Sequence, residues 1–157
     1  LGVTMLREAI QTALNEALKS GQTKRLGTLR LISAALKDKD IAARTKGSGD
    51  AINDEDILSM LQTMIKQRQE SVRMYREAGR DELAENEDSE IHIIRDFMPT
   101  QMDHDAVISA INSVISEVGA ASVKDMGKVM GLLKQRFTGQ MDFATASTAV
   151  KELLLNQ

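Results

Sequence analysis

The sequence predicts an all-α protein: an N-terminal four-helix domain followed by a C-terminal three-helix bundle. Three observations carry this reading. Apolar residues recur at three- and four-residue spacing along the chain, the period of one helix face. No strand-like alternation or hairpin signal competes with it. One proline and ten glycines in 157 residues leave few points where helices must break.

The first helix starts near Met5 and carries Leu6, Ala9, Ile10, Ala13, Leu14, Ala17 and Leu18 as its stripe, with Gly21 at its end. A second runs from about Thr23 to Ala43 on Leu29, Ile32 and Leu36, and Lys46-Gly-Ser-Gly-Asp50 follows as a polar loop. Asn53 is placed to cap the third helix by accepting an orphan backbone N–H, and Asp54, Glu55 and Asp56 complement its positive end. Ile57, Leu61, Met64, Ile65, Val72 and Tyr75 form its buried stripe, and Gly79 suits a left-handed terminus. An acidic fourth helix, about Asp81 to Phe97, turns Leu83, Ile91, Ile94 and Phe97 inward, and Pro99 stops it.

The character of the chain changes there, which places domains at residues 1–97 and 98–157. Asp103 caps a helix carrying Val107, Ile108, Ile111, Val114, Ile115 and Val118, closed by Gly119. Ser122 with Asp125 has the spacing of a capping box ahead of Val123, Met126, Val129, Met130 and Leu133. Asp142 caps a last helix that buries Phe143, Ala146, Val150, Leu153 and Leu154. Such a three-helix unit is small, yet feasible if it leans on the first domain.

Composition narrows the chemistry. There is no Trp, one Tyr and three Phe, so aliphatic residues and nine Met must fill the core. Cysteine is absent, which removes disulfides, thiolate metal sites and cysteine nucleophiles and fits a reducing compartment. No apolar run approaches the ~20 residues that span a bilayer, and Arg7 and Glu8 interrupt any secretory signal. Met5 reads as the natural start, with Leu1 to Thr4 an expression remnant or an upstream extension, and the expected location is cytoplasmic. Net charge is −3, but residues 19–46 hold eight basic side chains against two acidic, and residues 77–96 hold the reverse. The two blocks either face each other or face partners.

A search for catalytic groups is negative. His92, between Ile91 and Ile93, reads as a half-buried structural residue, and His104 sits between Asp103 and Asp105 without the spacing of a metal site. The dense carboxylates from Glu77 to Glu90 read as a solvated face, because an acid–base pair needs burial to separate its two pKa values. Nucleotide cradles and nucleophile elbows are missing, and no cofactor is expected. The informative run is Asp125-Met-Gly-Lys-Val-Met-Gly131. Two glycines one turn apart cost about 1 kcal/mol each relative to alanine, so something should offset them. Close packing of a neighbouring helix is the favoured explanation; close approach of a ligand is the other. Lys124, Lys128, Lys134 and Arg136 add a basic edge.

That run, with Gly139, Asp142 and Val150-Lys-Glu-Leu153, resembles the GatB/YqeY family, as do Leu29-Arg30-Leu-Ile-Ser-Ala-Ala35, Gln67-Arg-Gln-Glu-Ser71 with Tyr75, Gly79-Arg80 and Leu83, Glu87 and Glu90, and Phe97-Met-Pro99. The resemblance spans nearly everything from Met5 to Leu154. It is similar to the C-terminal helical tail of GatB, a subunit of the glutamine-dependent tRNA amidotransferase, in which the tail contacts tRNA while other parts do the chemistry. The resemblance implies a non-catalytic protein that binds tRNA or associates with amidotransferase or another translation-related protein. Lys124, Lys128, Lys134 and Arg136 would then touch phosphates beside Gly127 and Gly131, with Lys24, Arg25, Arg30, Lys37 and Lys39 extending the footprint. The alternatives are a protein–protein adaptor without RNA binding, using the acidic helix or the glycine face, and a carbon–nitrogen ligase by family association alone.

Overall fold

The computed structural model describes residues 5–156; Gln157 and Leu1–Thr4, with the reading of the latter as a remnant or extension, lie outside the described residues. Among those residues there are seven α-helices and no strand. In order they are α1 (Met5–Ser20), α2 (Thr23–Thr45), α3 (Asp54–Glu77), α4 (Asp81–Arg95), α5 (His104–Val118), α6 (Met126–Phe137) and α7 (Phe143–Leu155). The chain divides into two compact units, Leu1–Met98 and Pro99–Gln157, one residue beyond the boundary drawn from the sequence.

In the first unit the α1 stripe of Ile10, Ala13 and Ala17 packs with Leu29, Ile32 and Leu36 of α2. Ile57, Leu61, Met64 and Val72 of α3 and Ala84, Ile91 and Ile94 of α4 complete this core. The helix starts follow local chemistry: Asn53 accepts the Asp56 N–H at 2.9 Å, satisfying a donor that has no partner inside the helix. The end of α3 is equally local. Gly79 takes φ +71°, which only glycine adopts without strain, and the Arg80 N–H then donates to the Tyr75 carbonyl at 2.7 Å.

In the second unit Ile111, Val114 and Ile115 of α5 meet Val129 and Leu133 of α6 and Ala146, Val150 and Leu154 of α7. Asp103 and Asp142 cap α5 and α7 by accepting the Ala106 N–H at 2.8 Å and the Ala144 N–H at 3.0 Å. Gln101 donates to the Gly139 carbonyl, and the Met102 N–H to the Gln140 carbonyl at 2.9 Å, fastening the entry of α5 to the turn before α7. The helix expected from Ser122 begins instead as a 3-10 turn, Val123–Asp125, so Val123 leaves the buried stripe and stands 36% exposed. A 3-10 turn advances only three residues per turn, which rotates Val123 out of phase with Val129 and Leu133.

Two ion pairs occupy stripe positions in the first unit. Asp40, one turn beyond Leu36, is a buried charged residue; its carboxylate accepts two bonds from the Arg7 guanidinium, at 2.7 and 2.9 Å, and the Ile52 N–H at 3.0 Å. Arg7 also donates to the Ile52 carbonyl at 3.1 Å, and the Leu6 N–H reaches Asp54 at 3.3 Å. One polar knot therefore joins the start of α1, the end of α2 and the segment entering α3. The second pair, Arg68 to Glu90 at 3.0 Å, links α3 to α4.

Candidate nucleic-acid interface

The candidate surface is built on α6. Ser122 and Asp125 form the expected capping box: the Asp125 carboxylate accepts the Ala121 N–H at 2.9 Å and the Ser122 N–H at 3.2 Å. Those two bonds, aided by the charge of Lys128, hold the Asp125 carboxyl below the usual carboxylate range, so the cap stays ionised. With its first turn anchored in this way, α6 presents a fixed outer face.

Both glycines lie on that face, and among the described residues of the second unit nothing packs against them. A Cβ at Gly127 or at Gly131 would meet no heavy atom within 4 Å. The favoured explanation, close packing of a neighbouring helix, is therefore corrected: the helix backbone is bare to the outside. Gly131 has ordinary helical backbone, so Gly131→Ala is expected to raise stability by about 0.5–1 kcal/mol in urea unfolding. A loss of stability would contradict the open geometry.

Helical spacing places Lys128 on one side of the glycine pair and Lys134 on the other, while Lys124 lies in the 3-10 turn that leads into α6. All three are exposed, and none forms an ion pair among the described residues. α6 contains no acidic residue. Arg136 is different. It lies roughly half a turn round the helix from Gly127, and its guanidinium grips the Glu117 carboxylate of α5 with bonds of 2.6 and 2.7 Å. That pairing raises the Arg136 pKa and lowers that of Glu117.

The α2 cations are likewise divided. Arg25 pairs with Asp96 at 3.0 Å, a link between the basic and acidic blocks. Lys24, Arg30 and Lys37 are exposed beside Gly27, Leu31 and Ile41, while Lys39 points roughly half a turn away from Arg30. Elsewhere, His92 is exposed rather than half-buried, because Ile91 and Ile94, with Ile93 half-buried beside them, are the side chains turned to the core there. His104 is also exposed, and among the described residues no group of three or more His, Asp or Glu is placed to hold a metal. A groove of about 420 Å³ between α1 and α2 is walled by Arg7 and Asp40, which already satisfy each other. No buried side-chain nitrogen or oxygen among the described residues lacks a partner.

The family model for YqeY-like proteins matches residues 7–154, running through both units and across the whole of the α6 face. The chain belongs to the YqeY-like family. Among curated proteins it is 32% identical over 94 residues to an uncharacterized protein of Schizosaccharomyces pombe, covering 60% of this chain and 72% of that one. It is 25% identical over 132 residues to the altered inheritance of mitochondria protein 41 of Pyrenophora tritici-repentis, covering 81% of this chain and 70% of the relative.

In this YqeY-like chain the carboxylate run of α4 is not the uniformly solvated face expected of it. Glu87 and Glu90 fall in the stripe between Leu83 and Ile94, and Arg68 falls between Ile65 and Val72 on α3. That register was the available signal. Burial, then the neighbouring Glu90, push the Glu87 carboxyl up, against the opposing charge of Arg68. A raised native value means the ionised form costs stability near neutrality, and the cost disappears as pH falls below the ordinary value of 4.5. Glu87→Gln is thus expected to stabilise by about half a kcal/mol at neutral pH, with the gain vanishing in acid. A gain independent of pH would reject this cause. Farther along the helix pair Arg76 meets Asp88 at 2.6 Å, so the acidic helix spends part of its charge on α3. Among the described residues no single helix is long and apolar enough to cross a membrane.

Proposed function

We propose that this protein binds structured RNA, tRNA in the first instance, through the outer face of α6 and performs no chemistry on it. The observation that carries the reading is the open backbone at Gly127 and Gly131, flanked by Lys124, Lys128 and Lys134. A phosphate–sugar edge needs a cationic surface that it can approach closely, and two missing Cβ atoms between lysines supply one. The likeness of this segment to the GatB tail supports tRNA as the ligand. Phosphate contacts of this kind position an RNA without reading its sequence, and without stacking aromatics on the face, recognition is by the shape of folded RNA.

The role follows from the ligand: holding tRNA for, or beside, an amidotransferase or another translation-related partner that does the catalysis. The compartment is one where translation occurs, the cytoplasm or, by likeness to the fungal relative named for mitochondria, the mitochondrion. The deciding experiment is a tRNA titration across a salt series, comparing wild type with Lys124→Glu/Lys128→Glu and with Gly131→Leu. Binding is expected to weaken in both variants while helicity is unchanged. Equal binding by all three proteins would dispose of the surface.

A protein-adaptor role is the second reading, favoured by one observation, the exposed apolar residues of α2. A carbon–nitrogen ligase acting alone ranks last, and glutamine hydrolysis by the pure chain, abolished by one point mutation, would restore it.

A further inference from the structure

The outward face of α2 has a pattern that RNA binding does not use. Gly27, Leu31, Ala34, Asp38, Ile41 and Thr45 follow one another at alternating spacings of four and three residues, the spacing of a coiled-coil seam, with Leu31, Ala34 and Ile41 as its apolar side chains. All six are exposed, Leu31 by 47% and Ile41 by 46%, and a Cβ at Gly27 would meet nothing within 4 Å. The helix has a second, separate stripe, Leu29, Ile32 and Leu36, which is the one buried in the core. A helix that serves only its own domain needs one stripe; α2 has two.

Charge along the seam is one-sided. One flank carries Thr28, Ala35 and Ala42; the other carries Arg30, Lys37 and Arg44. Arg44 is held in place by donating its Nε–H to the Asp50 carbonyl at 2.9 Å. Arg30 and Lys37 form no ion pair among the described residues. We propose that this seam docks an acidic amphipathic helix of a partner protein, which lays apolar residues against Leu31, Ala34 and Ile41, carboxylates against Arg30, Lys37 and Arg44, and a basic side chain against Asp38.

Charge decides against the other occupants. A second copy of α2 running antiparallel would set Arg30, Lys37 and Arg44 against themselves. Running parallel, it would set them against Thr28, Ala35 and Ala42, with no carboxylate to meet them. A lipid surface would attract the cations, but Asp38 sits in the middle of the apolar stripe, where hydrocarbon penalises a carboxylate and a partner's lysine neutralises it. Phosphates would find the cations yet leave Leu31 and Ile41 in water.

The test titrates the full chain with a labelled synthetic helix of about three heptads. The helix is apolar along its seam, with lysine opposite Asp38 and glutamates facing Arg30 and Lys37. A second peptide has those glutamates changed to lysine. The acidic peptide is expected to bind in a salt-sensitive manner, and the lysine peptide about tenfold more weakly or worse. Leu31→Asp, at an exposed position that leaves the fold intact, should abolish binding. Arg30→Glu/Lys37→Glu should reverse the preference between the two peptides. No saturation by roughly 100 μM, equal affinity for the two peptides, or indifference to Leu31→Asp would each overturn the proposal. Self-association that depends on Leu31 would overturn it in favour of a second copy, and binding to phosphatidylserine vesicles but not to the peptide in favour of a membrane. The site is separate from the α6 face, so Lys124→Glu/Lys128→Glu should leave peptide binding unchanged.

Discussion

Lys124→Glu/Lys128→Glu is expected to weaken tRNA binding about 30- to 100-fold at roughly 0.1 M salt and to lower the slope of log affinity against log salt by about two. The magnitude follows from counterion release: each phosphate contact displaces close to one condensed cation, and reversal removes two contacts and adds repulsion. Neither Lys124 nor Lys128 forms an ion pair among the described residues, although the charge of Lys128 helps hold the Asp125 cap ionised, so Lys124→Gln/Lys128→Gln is the control that removes the contacts without setting a carboxylate beside that cap. Arg136→Gln supplies the contrast. That side chain is already committed to Glu117, so its removal should cost little binding, although it breaks the pair between α5 and α6. A shift assay and a filter-binding salt series read both quantities, with circular dichroism as the check on folding. If the double reversal keeps the wild-type slope, phosphates do not contact this face.

Asp40→Ala is expected to destabilise the fold by about 2–3 kcal/mol in urea unfolding. The loss is at the low end for a buried charge pair because the Arg7 side chain remains 30% exposed and can recover some hydration when Asp40, itself 10% exposed, is removed. The loss exceeds that of a surface pair for a structural reason: Asp40 also accepts the Ile52 N–H, so one truncation releases α1, α2 and the entry to α3 together. Arg7→Lys should cost less, about 1 kcal/mol, since an ammonium keeps the charge but cannot grip both carboxylate oxygens. The pH dependence has a definite sign. Hydrogen bonds from Arg7, opposed by burial and helped by the Ile52 N–H and the charges of Arg7 and Arg44, hold the native Asp40 carboxyl below its ordinary value of 3.8. Its stabilisation is therefore complete above that ordinary value and is lost as pH falls through the depressed native one. The gap between wild type and Asp40→Asn should be widest near neutrality and close in strong acid. A gap that widened on acidification would refute the assignment.

The two surfaces proposed for partners show different degrees of legibility. The α6 lysines and glycines were visible as a motif, but a glycine pair reads equally as a helix crossing or as an exposed backbone. Only the open space over Gly127 and Gly131 among the described residues separates these. The α2 seam was hidden because Leu31 and Ile41 lie among basic residues, and a 3.6-residue period fits two stripes on one long helix as readily as one.

Taken alone, the sequence determined most helix ends to within about two residues, the start of α6 excepted. A cap such as Asn53 or Asp103 acts on an N–H three residues away, and the left-handed turn at Gly79 is settled within one helix end. Tertiary structure decided which charges meet: Arg7 with Asp40 across 33 residues, Arg68 with Glu90 across 22, Arg136 with Glu117 across 19. Caps and periods are fixed within a turn or two of one helix. Pairing between helices depends on how two cylinders rotate and slide against each other, and that is set by the packing of the whole core rather than by any local run of residues.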